Sequence, residues 1–113
     1  MIKGEEDIRK QLIRELAINK VFWSYKKPEP DSIPDEILIE KTLIHLDIVD
    51  INKLFLIFPQ VKIRNIWNEK VVINDALFHS MNLLFAHLYF NIKDPESYLE
   101  RSLNKHKKKL HLS

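Results

Sequence analysis

The residues best suited to catalysis or metal binding are two histidines, His79 and His87, which stand eight positions apart. On one helix this spacing separates the side chains by ~80° around the axis and by ~12 Å along it. The pair therefore cannot hold one metal ion, and the metal-binding pattern His-Glu-x-x-His does not occur. We predict no metal site, and we expect both histidines to hydrogen-bond at a helix margin to carbonyl groups or water.

Paired carboxylates are the other groups that could transfer protons. The close pairs are Asp35 with Glu36 and Asp47 with Asp50, and all four stand at predicted helix starts, where capping explains them. The sequence has no cysteine, one glycine and no Gly-x-Ser-x-Gly motif, which excludes thiol nucleophiles and glycine-rich phosphate loops. We predict no catalytic residue, no cofactor and no enzymatic activity.

Basic and amide side chains suggest a nucleic-acid interface. Two predicted helices within residues 48–70 meet at Pro59 and resemble a helix-turn-helix pair, whose second helix covers residues 60–70. The candidate nucleic-acid contacts are Lys62, Arg64, Asn65 and Asn68 on that helix, with Lys105, Lys107, Lys108 and Lys109 in the basic tail. Arginine and asparagine can read base edges. Acidic Asp47 and Asp50 oppose docking to phosphates, and ordinary helix packing explains the same pattern.

Helical periodicity positions all of these residues. Apolar side chains recur at helical spacing in residues 5–19, 60–70 and 76–91, among other segments. We predict an all-α fold, a single compact domain of five or six helices spanning residues 1–113. Residues 1–31 form an N-terminal helix and a proline-containing linker, residues 32–92 the helical core, and residues 93–113 a C-terminal helix with the basic tail.

Local signals refine this outline. Ser32 and Asp47 are predicted helix caps with Pro34 in a first turn, and Asp94 is the clearest cap in the sequence. Residues 21–25 and 71–73 are rich in aromatic or β-branched side chains, which favour extended structure. Because residues 76–91 are apolar on most sides, we predict that this helix is central and buried.

Aromatic side chains are the candidate protein contacts. Trp67 is predicted to lie in the core, whereas Trp23 and Tyr25 are candidate contacts for a partner, because aromatic residues are enriched at interfaces.

The formal net charge is only +2, and residues 1–7 lack the apolar stretch of a signal peptide. No apolar run approaches the ~20 residues of a membrane span, so we predict a cytoplasmic protein that does not enter membranes.

A family resemblance covers residues 21–99. It is carried by hydrophobic and aromatic patterning in residues 21–25, 37–51, 54–55, 61–67 and 84–92. These segments resemble a family of small bacterial helical proteins in which a Phe-Trp segment precedes a helix and an acidic turn. Ser24 stands where that family usually has an acid, and Asn91 where it has a glycine.

Genes of that family commonly neighbour AbiEii-type nucleotidyltransferase toxins. The resemblance therefore implies an antitoxin-like or accessory protein that binds such a toxin, with no catalytic residue carried over. We expect a non-enzymatic protein-binding module. The alternative is a DNA-binding transcriptional regulator that uses residues 60–70 and the basic C-terminal tail.

Overall fold

The computed structural model describes residues 2–19 and 33–112, with side chains described for residues 4–19 and 33–107. The predicted all-α class is confirmed, because the described residues form helices and no strand. The α-helices are α1 Ile2–Ile18, α2 Asp35–His45, α3 Ile48–Ile57, α4 Gln60–Ile66, α5 Asp75–Leu88 and α6 Pro95–Leu112. A π-helical segment, Trp67–Val71, and a 3-10 segment, Val72–Asn74, connect α4 to α5.

The chain divides into two compact units, Met1–Ile66 and Trp67–Ser113. The division falls inside the helix predicted over residues 60–70. That prediction is wrong in one respect, because the α-helix ends at Ile66 and the turns that follow are π-helical. A π-helical turn is wider than an α-helical one, and here it turns both Trp67 and Val71 into the core.

The first unit is built on α1, which packs against α2 and α3, while α2 also packs against α4. The α1 face predicted from periodicity is buried at Leu12, Ile13 and Leu16. The other helices contribute fully or nearly fully buried aliphatic side chains, namely Leu38, Ile39, Leu43, Leu54 and Ile63. Burial of these apolar groups is the main favourable contribution to the stability of this unit.

The helix starts of the first unit differ from the predicted capping pattern. Pro34 occupies the N-cap of α2 instead of its first turn, and neither Pro34 nor Asp47 makes a side-chain capping bond. Ser32 lies outside the described residues. Asp35, the first residue of α2, forms ion pairs with Arg9 and Lys62.

The second unit packs around Trp67, which is fully buried and stacks on Phe90 and Tyr98 with ring centroids 4.8 and 5.8 Å away. The cap predicted at Asp94 is confirmed, since the Ser97 backbone N–H and hydroxyl donate to its carboxylate at 3.3 and 2.8 Å. Those bonds hold the pKa of Asp94 below its ordinary value. Asn91 adopts a positive φ of 50°, a conformation that asparagine tolerates better than most residues.

Two expectations for the second unit are wrong. Residues 71–73 are helical instead of extended, and Val71 and Val72 are both fully buried. The α5 helix is not buried all round, because its buried residues are Asp75, Asn82, Phe85 and Ala86. Tertiary packing therefore overrides the β-branched preference of the valines and leaves other apolar side chains of α5 in solvent.

Candidate functional site

A chain of polar contacts runs through the second unit from its core to its surface. The Trp67 indole Nε1–H donates to Asn82 Oδ1 at 2.9 Å, and Asn82 Nδ2 donates to Asp75 Oδ1 at 2.9 Å. The other Asp75 oxygen lies 2.7 Å from His79 Nδ1, and His79 Nε2 lies 3.3 Å from Glu96. We call these five residues the Trp67–Glu96 network. It links the π-helical segment, α5 and α6.

Helical spacing explains how the sequence forms this network. Asp75, His79 and Asn82 stand at i, i+4 and i+7 of α5, and residues at that spacing share one side of a helix. Asn82 is fully buried in an otherwise apolar part of the chain, so its amide must find hydrogen-bond partners there. The sequence contained one signal for these contacts: the amide of Asn82 shares a helical face with an acid and a histidine.

An aspartate that orients a histidine is also the arrangement of a general base, but the geometry here favours a structural contact. Both ring nitrogens of His79 face carboxylates, on Asp75 and on Glu96. These bonds, that from Asp75 above all, raise the pKa of His79 above its ordinary value. His79 therefore pairs with carboxylates and not with carbonyl groups or water as predicted, and it joins α5 to α6.

Metal binding has no support from the described part of the chain. No group of three or more histidine, cysteine, aspartate or glutamate side chains there is arranged to hold a metal ion. His87 lies exposed near the end of α5, separate from the contacts of His79.

The predicted DNA-reading residues of α4 are only partly available to a ligand. Lys62 Nζ lies 2.9 Å from Asp35 Oδ2 and 5.4 Å from the centre of the Phe58 ring. Arg64 is half-buried, and Asn65 is exposed. A phosphate approaching Lys62 would therefore meet the negative charge of Asp35 and would have to displace it.

The other candidate nucleic-acid contacts lie in the second unit. Asn68 and Lys105 line one pocket, and Lys107 is exposed on α6. Lys108 and Lys109 lie in α6, but the structure does not describe their side chains. Trp23 and Tyr25, the candidate partner contacts, also lie outside the described residues.

The sequence did not indicate an exposed apolar surface on α5. Leu77, Leu84 and Leu88 are 79%, 46% and 51% exposed, and we call these three residues the α5 leucines. Leu84 and Leu88 lie about 200° and 240° around the axis from Asn82, which puts them opposite the buried side. Leu77 precedes a local departure from helical geometry at Phe78. Asn82 therefore faces the core while Leu84 and Leu88 face solvent.

None of the described helices combines the length and the apolar character that crossing a membrane requires. No protein-family model matches the sequence, and neither the curated proteins nor the solved structures contain a significant match. The resemblance to the toxin-associated family therefore stays a prediction.

Proposed function

We propose that this chain is a non-enzymatic module that binds a partner protein, and that α5 supplies the contact surface. The observation that supports the proposal is the exposure of the three α5 leucines on a helix of 14 residues. Single exposed leucines are common on protein surfaces, whereas clustered apolar side chains mark sites of interaction. Ile73, just before α5, is also 41% exposed and extends the apolar character.

The occupant that fits this surface is an amphipathic helix of the partner. Met81, Leu84 and Leu88 stand at i, i+3 and i+7, the spacing at which one helix packs along another. Completing the burial of the α5 leucines would contribute about 3–5 kcal/mol. Since association itself costs roughly 4–15 kcal/mol, the interface must extend beyond these three side chains.

The family resemblance makes a nucleotidyltransferase toxin the first partner to test. In that role the chain would act as an antitoxin-like or accessory protein, without chemistry of its own. The Trp67–Glu96 network supports the role indirectly, because it holds α5 against α6 and so keeps the leucines in a defined arrangement.

The test is co-expression of the untagged product of the adjacent gene with tagged versions of this chain, followed by affinity purification. The wild-type chain is expected to retain the partner in a stoichiometric complex. The double variant Leu77→Ser with Leu88→Ser is expected to lose it, because two apolar contacts disappear from the interface while the fold keeps its buried residues.

A matched control is available in the first unit. Leu56 and Val61 are each 69% exposed, so Leu56→Ser with Val61→Ser removes a comparable exposed apolar area elsewhere. This control should retain the partner. Purification of the wild-type chain alone, or equal loss of the partner in both double variants, would contradict the proposal. Self-association that depends on the α5 leucines would assign the surface to a second copy and would also contradict it.

A further inference from the structure

A small pocket of about 190 Å³ opens on the second unit. Its lining residues are Asn68, Tyr98, Ser102, Lys105 and His106. The last four stand at i, i+4, i+7 and i+8 of α6, so they share one side of that helix. Asn68 comes from the π-helical segment and forms the facing wall. Both walls belong to elements that the packing around Trp67 holds in place.

A hydrogen bond joins Tyr98 and Asn68, one residue from each wall of the pocket. The Tyr98 hydroxyl donates to Asn68 Oδ1 at 2.9 Å, and the Tyr98 ring lies nearly parallel to the Trp67 indole, with 5° between the planes. Because the Asn68 carbonyl oxygen accepts the phenol proton, the side chain offers its amide N–H groups to a ligand. Preorganised donors reduce the entropy lost on binding.

The charge of the lining residues favours an anionic ligand. Lys105 provides a positive charge, Ser102 a hydroxyl donor and His106 a ring nitrogen, while none of the five lining residues is acidic. A pocket of about 190 Å³ that opens to solvent can admit a tetrahedral oxyanion, with the rest of the ligand outside the pocket.

We propose that this pocket binds a phosphate group, with the Lys105 ammonium as counter-ion and with Ser102 and Asn68 as hydrogen-bond donors. The group can come from a small phosphomonoester or from the phosphodiester backbone of a nucleic acid, and both present the same oxygens. This site is separate from the α5 leucines and does not depend on the proposed binding of a protein.

The experiment is a titration of the ¹⁵N-labelled full chain, monitored by the backbone amide signals of residues 98–106. One arm uses phosphoserine as the phosphomonoester, and a second arm uses a short single-stranded oligonucleotide without terminal phosphates. Saturable shifts at these residues are expected in at least one arm. Binding in the first arm alone identifies a small-molecule source, and binding in the second identifies a nucleic-acid backbone.

Two variants of equal net charge separate a defined site from diffuse attraction to a basic helix. Both lysines are exposed, but Lys105→Gln removes an ammonium that lines the pocket, whereas Lys107→Gln removes one outside the lining. Because the Lys105 ammonium would form a charge-assisted hydrogen bond with the phosphate, Lys105→Gln should weaken binding about tenfold or more. Lys107→Gln should weaken it by less than about threefold, as expected for a screened charge.

Two results would overturn the inference. One is the absence of saturable shifts in both arms, which would mean that the pocket holds no phosphate group. The other is equal weakening by Lys105→Gln and Lys107→Gln, which would assign the binding to the general charge of α6. Far-UV circular dichroism of both variants checks that helix content is unchanged.

Discussion

Replacement of Asn82 by leucine tests whether the Trp67–Glu96 network stabilises the second unit. Asn82 is fully buried, accepts the Trp67 indole N–H and donates to the Asp75 carboxylate. Leucine has a similar size, so the substitution removes these two hydrogen bonds, and the longer one of 3.5 Å from Asn82 Nδ2 to the Val71 carbonyl, without opening a large cavity. The buried indole N–H is then left without its acceptor, and Asp75 loses one of its donors.

The expected cost follows from these two losses. A buried donor without a partner costs about 1–3 kcal/mol, and a hydrogen bond to a charged group contributes about 1.5–3 kcal/mol. Asn82→Leu should therefore lower the free energy of unfolding by about 3–5 kcal/mol. A domain of ordinary stability unfolds with about 5–15 kcal/mol, so the variant should still fold but with a much lower urea midpoint.

The assay is urea unfolding monitored by far-UV circular dichroism, arranged as a double-mutant cycle with Trp67→Phe. Phenylalanine lacks the indole N–H, so Asn82→Leu no longer leaves that donor unpaired. The loss caused by Asn82→Leu should be about 1–2 kcal/mol smaller in the Trp67→Phe background than in the wild type. Additivity within about 0.3 kcal/mol would refute the reasoning. The control is Asn65→Leu, at an exposed position of α4, which should change the free energy of unfolding by less than about 0.5 kcal/mol.

Three further predictions concern polar groups. Asp35→Asn should lower the free energy of unfolding by about 1 kcal/mol near pH 7, because both ion pairs of Asp35 are partly exposed. The hydrogen bond from Lys62 keeps the pKa of Asp35 below its ordinary value, so this loss should vanish in urea titrations as the pH falls through that lowered pKa. An NMR titration should give His79 a pKa above 6.5, and a value at or below 6.5 would contradict its ion pairs with Asp75 and Glu96. Because the pKa is raised in the folded chain, these ion pairs stabilise the fold at lower pH and weaken as the pH rises through that pKa. Among the described residues, the buried Thr42 hydroxyl has no hydrogen-bond partner, so Thr42→Val should raise the free energy of unfolding by about 1–3 kcal/mol and move the urea midpoint up. A lower midpoint would show that the hydroxyl is satisfied.

Much of the local structure follows from the amino-acid sequence alone. The apolar period of α1 predicts burial of Leu12 and Leu16, and Asp94 followed by Pro95 predicts the start of α6. Both depend on interactions within about one helical turn, namely the side on which apolar residues recur and the donors exposed at a helix start. Such interactions need no knowledge of distant segments, so the all-α class can be predicted from the sequence.

Tertiary structure decided which face of α5 is buried and what the basic residues contact. Asn82 faces inward and accepts the indole N–H of Trp67, fifteen residues away, while Leu84 and Leu88 lie in solvent. Lys62 pairs with Asp35 from another helix, which no spacing along α4 could indicate. An unpaired buried polar group costs free energy, and the partners that satisfy Asn82 are brought together only in the folded chain.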